Sequence, residues 1–504
     1  MINESDMRKL NPWWSNPTVI NEDLQIQKWN DSKMRFIPEM RDEIKYDFSS
    51  DGHVIYTLRG SRQVGKTTLI KLQIKKFLKN RVPPENILYY SLDASTDYKD
   101  ITKLVEMYMK KTAKINKGRC YLFLDEASTI KEWGTAIKMA VDNGTLKNCT
   151  VVVSGSHALN LSKAREKLVG RMGDIADDNY NHKILLPMSF SEYVSLLDKD
   201  IKKILLEINS KPDGKKDIFL KLLNHEIDPR LEKINLHMNS LNNILREYML
   251  TGGFPQILNN RISTGVIPAN RYTNYLESIT SILNMLSIDE NKLKALCGGL
   301  IQSQTSNLSN INLAKESRLG SYNTVDKYIN ILDNLLVVLK IHQYNAKSKN
   351  RIFRKNPKLY FQDPFLFHTF NGWTNTADNF TTSLKSIEDE TIQGKIMEGI
   401  VADHLIRWAF RYSKKVQTFS YTDHVFYWKD DKNREVDFIL YDGDTIEVPI
   451  EVKYRNQIRC KELGGLTSFL NKTGKKCGIV ISKHDLEEKK DYTVIPAPIF
   501  LLLM

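Results

Sequence analysis

Eight consecutive residues, Gly60-Ser61-Arg62-Gln63-Val64-Gly65-Lys66-Thr67, have the types and spacing of a phosphate-binding loop, G-x-x-x-x-G-K-[ST]. Gly60 and Gly65 allow a tight turn in which backbone N–H groups converge on phosphate oxygens. Lys66 would reach the β- and γ-phosphates, and the Thr67 hydroxyl would ligate Mg2+. Thr68 follows inside a helix whose N-terminus adds positive partial charge. The expected ligand is a nucleoside triphosphate such as ATP, held with Mg2+ by residues 60–68.

Further candidates lie downstream. The run Tyr121-Leu122-Phe123-Leu124 ends in Asp125-Glu126, an apolar strand delivering two carboxylates. Asp125 would hold Mg2+, mostly through water, and Glu126 would orient and polarise the attacking water. Thr150-Val151-Val152-Val153 runs into Ser154-Gly155-Ser156-His157, where Ser156 is the candidate sensor of the γ-phosphate or the water. Arg171, after Gly170, is either a surface arginine or a side chain that reaches the γ-phosphate of a neighbouring subunit, which would make the protein a homo-oligomer.

These residues need a frame. His53–Arg59 reads as a strand entering the loop and Thr68–Leu72 as a helix leaving it; Ile87–Leu92 adds another strand. Continuous apolar strands suit a parallel sheet covered on both faces, with the polar residues emerging at its C-terminal edge. The fold class expected is α/β. Ser189 and Glu192 have the spacing of a helix capping box, and the Lys-, Leu- and Glu-rich stretch from Leu197 to Leu245 reads as helical. Gly252-Gly253-Phe254-Pro255 reads as a backbone-determined junction without chemistry.

The loop, LFLDEAS, VVVSGSHALNLS, LVGR, LPMSFSEY and GGFP together resemble the AAA+-type ATPases of archaea and bacteria that carry a C-terminal domain of unknown function, and the resemblance spans most of the chain. It implies a P-loop ATPase core over 46–195 behind an N-terminal extension (1–45), a helical lid (196–270), a winged-helix segment (271–365) and a C-terminal α/β domain (366–504).

In the expected winged helix, Ile311, Leu313 and Ala314 mark a first helix. Val325, Tyr328, Ile329 and Leu332 mark the apolar face of a second. Leu335–Leu339 and Leu359–Phe361 would be wing strands, flanking Lys347, Lys349, Arg351, Arg354, Lys355 and Lys358. Such a basic hairpin suits phosphate contacts with DNA or RNA, and a structural role between domains is the alternative.

In the last domain, Glu398 on a helix, Asp437 on one strand, and Glu451 and Lys453 on the next form Glu…Asp…Glu-x-Lys, which resembles the PD-(D/E)xK, restriction-endonuclease-like fold. Period-2 alternation puts Glu451 and Lys453 on one face. Asp437 and Glu451 could share Mg2+ or Mn2+, completed by Glu398, while Lys453 orients water or stabilises developing charge. A live metal-dependent nuclease and a degenerate fold used for docking both remain open, so the chain is either an ATPase acting on nucleic acid or an ATP-controlled switch.

Lys and Arg total 73 against 60 Asp and Glu, a formal charge of +13, which suits an anionic partner or a solvated lysine-rich surface. Five scattered cysteines without a CxxC pair indicate neither a zinc site nor a disulfide framework. No apolar run nears the ~20 residues that span a bilayer. The expectation is a cytoplasmic protein without membrane contact. The terminal Ile499–Met504 reads as a last buried strand.

Overall fold

The computed structural model describes residues 3–37, 52–95, 97–113, 118–127, 130–156, 168–173, 181–211, 213–286, 288–303, 313, 321–375, 378–413 and 419–504. It divides into two compact units, Met1–Leu186 and Pro187–Met504.

The first unit is built on a parallel sheet of β1 (Val54–Gly60), β2 (Ile87–Ser91), β3 (Cys120–Asp125), β4 (Cys149–Gly155) and β5 (His182–Leu185), in the order β2-β3-β4-β1-β5. β3 and β4 are buried along their whole length, which explains their unbroken apolar character. The order places β4 between the loop strand β1 and the carboxylate strand β3. Because all strands are parallel, Gly60, Asp125 and Gly155 end at the same edge.

The N-terminal extension is an ordered part of this unit. Met7 joins the core that covers β3 and β4. The Asn11 side chain pairs with the backbone of edge strand β2, donating to Tyr89 O (2.8 Å) and accepting from Tyr89 N (2.6 Å). Trp13 and Trp14 both donate to Ile87 O. The strand edge is thereby occupied by side chains rather than by another strand. Asp23 pairs with Lys71 on the Lys66–Lys79 helix at 3.1 Å.

The second unit carries a nine-stranded sheet. Its strands are β6 (Val338–Asn345), β7 (Asn350–Arg351), β8 (Lys358–Phe361), β9 (Val425–Lys429), β10 (Glu435–Tyr441), β11 (Glu447–Val452), β12 (Gly478–Ser482), β13 (Glu487–Glu488) and β14 (Tyr492–Pro496). The path is β13-β14-β12-β11-β10-β9-β6-β7, with β8 also paired to β6. β9, β10 and β11 are antiparallel neighbours, whereas β11-β12, β12-β14 and β6-β9 are parallel. The helices Phe190–Leu197 to Met238–Thr251 bear out the helical reading, including the Ser189–Glu192 capping box.

Three expectations need correction. The wing strands form an antiparallel hairpin, Val338↔Phe361 to Ile341↔Lys358, but β6 also pairs with β9, so the hairpin is the margin of the C-terminal sheet rather than a separate wing. The first wing strand starts at Val338, not Leu335, because Leu336 takes a left-handed backbone (φ 58°) that no strand tolerates. The terminal apolar run is a buried helix, Ala497–Leu503, not a strand. Pro496 closes β14, and Pro498 fits a helix's first turn but not a sheet centre. The expected first helix at Ile311 and Ala314 lies outside the described residues; the second, Tyr322–Asn334, is present with a Ser321 cap.

Candidate functional site

Gly60 leaves β1 with no room for a side chain, since a Cβ there would lie 2.6 Å from Leu185 O. Gly65 adopts φ 106°, and the helix starts at Lys66. Gln63 takes φ 61°, a left-handed backbone that is costly for a residue with a side chain. Lys66 is buried and donates to the loop's own carbonyls, Gly60 O at 3.1 Å and Ser61 O at 3.2 Å. Burial pulls its pKa down, opposed by Glu126 and Asp125. Ser61 Oγ and Arg62 Nε are buried without a hydrogen-bond partner, an unmet polar demand that a phosphate fits. Val64 is buried beneath the loop, and Thr68 Oγ1 lies 3.4 Å from Gln25 Oε1.

Asp125 is where the elements meet. Oδ2 accepts from Thr67 Oγ1 at 2.7 Å and from the Tyr89 hydroxyl at 3.1 Å; Oδ1 accepts from Ser154 Oγ. Glu126 stands at φ 54°, and its carboxylate accepts from Ser156 Oγ (3.4 Å) and lies 3.8 Å from Lys66 Nζ. Hydroxyl, carboxylate and ammonium groups from the helix after β1 and from β2, β3, β4 and the residues that follow β3 and β4 are thus gathered around Asp125, a donor set suited to a hard cation and polyphosphate oxygens. Sequence reasoning missed Tyr89, which stands among the apolar residues of β2, and Ser154, passed over for Ser156. For Ser154 the available signal was a polar residue near the exit of an apolar strand; Tyr89, in the middle of β2, carried none.

Arg171 is not brought to this edge. Its carbonyl accepts from or faces His53 Nε2 at 3.0 Å, beside the start of β1, and its guanidinium pairs with Asp142.

The second cluster gathers around β10 and β11. Asp437 Oδ2 accepts from Val452 N at 2.9 Å, and Glu451 Oε2 accepts from Asp437 N at 3.3 Å. Lys453 Nζ bonds Glu451 Oε1 and lies 3.8 Å from Asp437. Glu398, on the helix Glu390–Tyr412, accepts from the Tyr360 hydroxyl at 3.1 Å. Desolvation, then Asp437's charge, raises the pKa of both Glu398 and Glu451; Lys358 and Lys453 hold Asp437 down against its own burial.

Lys358 belongs to this cluster. Expected as an exposed phosphate contact, it is 1 % exposed and lies 2.6 Å from Glu435 and 3.5 Å from Asp437. Being the first residue of β8, it points with the strand rather than with the basic loop before it. The donor chemistry suits a divalent ion, but among the described residues no three carboxylate, histidine or cysteine side chains converge on one point. Two ammonium groups supply the counter-charge instead.

Residues 53–194 match the AAA domain family. This part of the chain, a parallel five-stranded sheet entered through the phosphate-binding loop, is similar to a P-loop ATPase core. Residues 242–377 and 393–500 match two domains of unknown function, DUF8612 and DUF4143. An uncharacterized protein of Haemophilus influenzae is 24 % identical over 324 residues, covering 62 % of this chain and 68 % of its own length. Among solved structures, a Walker-type ATPase of Pyrococcus abyssi covers 67 % of this chain and 96 % of its own at 14 % identity and a TM-score of 0.38. The ORC1 protein of Aeropyrum pernix in complex with DNA covers 74 % and 97 % at 10 % identity and a TM-score of 0.28. Among the described residues no helix is long and apolar enough to cross a membrane.

Proposed function

We propose that this chain is a cytoplasmic Mg2+-dependent ATPase whose nucleotide cycle drives action on DNA or RNA. The observation that carries the ATPase part is the set around Asp125: Thr67, Tyr89 and Ser154 on its oxygens, with Glu126 and Ser156 alongside. The loop amides bind the phosphates, and Lys66 exchanges its carbonyl partners for phosphate oxygens. Bound between Thr67 and Asp125, Mg2+ would neutralise phosphate charge. Glu126 orients water, and Ser156 holds that carboxylate at its working angle. Arg171, at the other end of β1, serves a neighbouring copy's nucleotide or no nucleotide at all. Replacing Lys66 by Ala in the full chain is expected to abolish ATP binding and turnover, measured by calorimetry and phosphate release; wild-type turnover would sink the assignment.

In this proposal Glu398, Asp437, Glu451 and Lys453 form a phosphodiester-cutting site. What supports it is a buried Glu451 and a largely covered Asp437 on neighbouring strands, with Lys453 directly after β11, a costly arrangement without a task. The second reading, a nucleotide-controlled switch with an inactive nuclease fold, is favoured by Lys358 and Lys453 supplying the counter-charge. Plasmid cutting with Mg2+ or Mn2+ that is lost in Asp437→Ala favours the first. Intact ATP turnover with no cutting of any DNA or RNA favours the second.

A further inference from the structure

The segment from Ala346 to Pro357 contains Lys347, Lys349, Arg351, Arg354 and Lys355 and no acidic residue. Lys347, Lys349, Arg354 and Lys355 are exposed. Among them stands Phe353, 75 % exposed. The ring is not adrift: the Arg351 guanidinium lies 4.7 Å from its centroid, and Arg351 Nη1 is anchored on Thr422 Oγ1 at 2.8 Å. The backbone is pinned on both sides, by Ile352 N on Gln343 O (2.8 Å) and by the Tyr427 hydroxyl on Asn356 O (2.8 Å). A lone exposed apolar side chain is ordinary. An aromatic ring held under one cation, in a short segment with four other exposed cations and no anion, is a different object. The cations repel one another, and a polyanion relieves that repulsion. The exposed ring face offers a base a stacking partner, which a base inside a duplex cannot use.

We infer that this loop is a single-strand platform: Phe353 stacks a nucleobase while Lys347, Lys349, Arg354 and Lys355 hold flanking phosphates. The inference rests on the nucleic-acid reading above and sharpens it to unpaired strands. It also gives the carboxylate cluster its substrate geometry. Lys358 follows Phe353 by five residues, so the ring lies within about 17 Å of chain from Asp437's partner. That is no more than about five stacked nucleotides at ~3.4 Å each.

The test is fluorescence anisotropy of the full chain with a labelled thymidine 20-mer, a duplex of equal length, and anionic phosphatidylserine vesicles. Wild type is expected to prefer the single strand. Phe353→Ala should weaken that binding by roughly tenfold or more, Phe353→Trp should restore it, and the melting temperature should not move because the ring is exposed. Neutralising Lys355 with Gln should flatten the salt dependence by about 0.7 in slope. Equal binding by Phe353→Ala, a preference for duplex, or binding to vesicles alone each overturns the platform. Repeating the titration with Lys66→Ala and Asp437→Ala separates the ideas: retained Phe353-dependent binding with lost turnover leaves the platform standing whatever the fate of the cutting site.

Discussion

Removing a single oxygen from Tyr89 probes the nucleotide site at its least anticipated member. Asp125 accepts from three hydroxyls, and Tyr89→Phe deletes the one at 3.1 Å while keeping the ring in its place in β2. A hydrogen bond to a charged group contributes about 1.5–3 kcal/mol. Thr67 and Ser154 continue to hold the carboxylate, so the lower bound applies, about 1.5 kcal/mol, or roughly tenfold. The loss should appear in ATP hydrolysis measured against free Mg2+, as a tenfold fall in kcat/KM or in apparent Mg2+ affinity. ATP binding without Mg2+ should barely change. Burial, reinforced by Asp125's charge, pushes the Tyr89 phenol far above its usual range, so it donates throughout about pH 6–9 and the substitution should leave the shape of the pH profile intact. Pairing it with Ser154→Ala should give a non-additive loss, because both hydroxyls orient one carboxylate. A Tyr89→Phe enzyme within twofold of wild type at limiting Mg2+ would refute the positioning role.

Two further outcomes concern the second unit. Gly253→Ala would place a Cβ 2.2 Å from Met188 O and 2.6 Å from Met188 N, and that backbone is tied by Met188 N on Gly253 O at 2.7 Å; a stability loss of about 1–3 kcal/mol or more should show in denaturant melts, and an unchanged midpoint would remove the junction role of this turn. Asp363 accepts from Gly253 N and Phe365 N, and burial raises its pKa from 3.8 to about 7. Since the folded value lies above the unfolded one, stability is fullest below about pH 4 and declines as pH rises through about 7, by roughly 4 kcal/mol at most. Asp363→Asn should therefore be less stable than wild type near pH 5, with the gap closing towards pH 8; a gap that widens with pH would reverse the assignment.

The candidate phosphate site was legible because its signal is local: eight adjacent residues set the loop, and Asp125-Glu126 and Ser156 each follow an apolar run whose β-branched and aromatic residues favour a covered strand. The cutting-site candidates were legible as a pattern of strand positions, and Asp437, Glu451 and Lys453 do lie side by side. Lys358 was not. Its neighbours Arg354 and Lys355 are exposed, and nothing in the local sequence says that the strand begins between Pro357 and Lys358 and carries that one ammonium inward. The terminal helix failed for another reason: six apolar residues fit a buried helix as well as a buried strand, and only the prolines at 496 and 498 decide it. Asn11, Trp13 and Trp14 carry no motif, since their partners are backbone atoms some seventy residues away.

That last arrangement has a practical corollary. An expression clone that trims the first three dozen residues as dispensable leader would strip Asn11, Trp13 and Trp14 from the rim of the five-stranded sheet and bare a hydrophobic strand with unpaired amide and carbonyl groups. Such a truncation should come out of the cell as self-associating material, and its inactivity would then report on lost solubility rather than on catalysis.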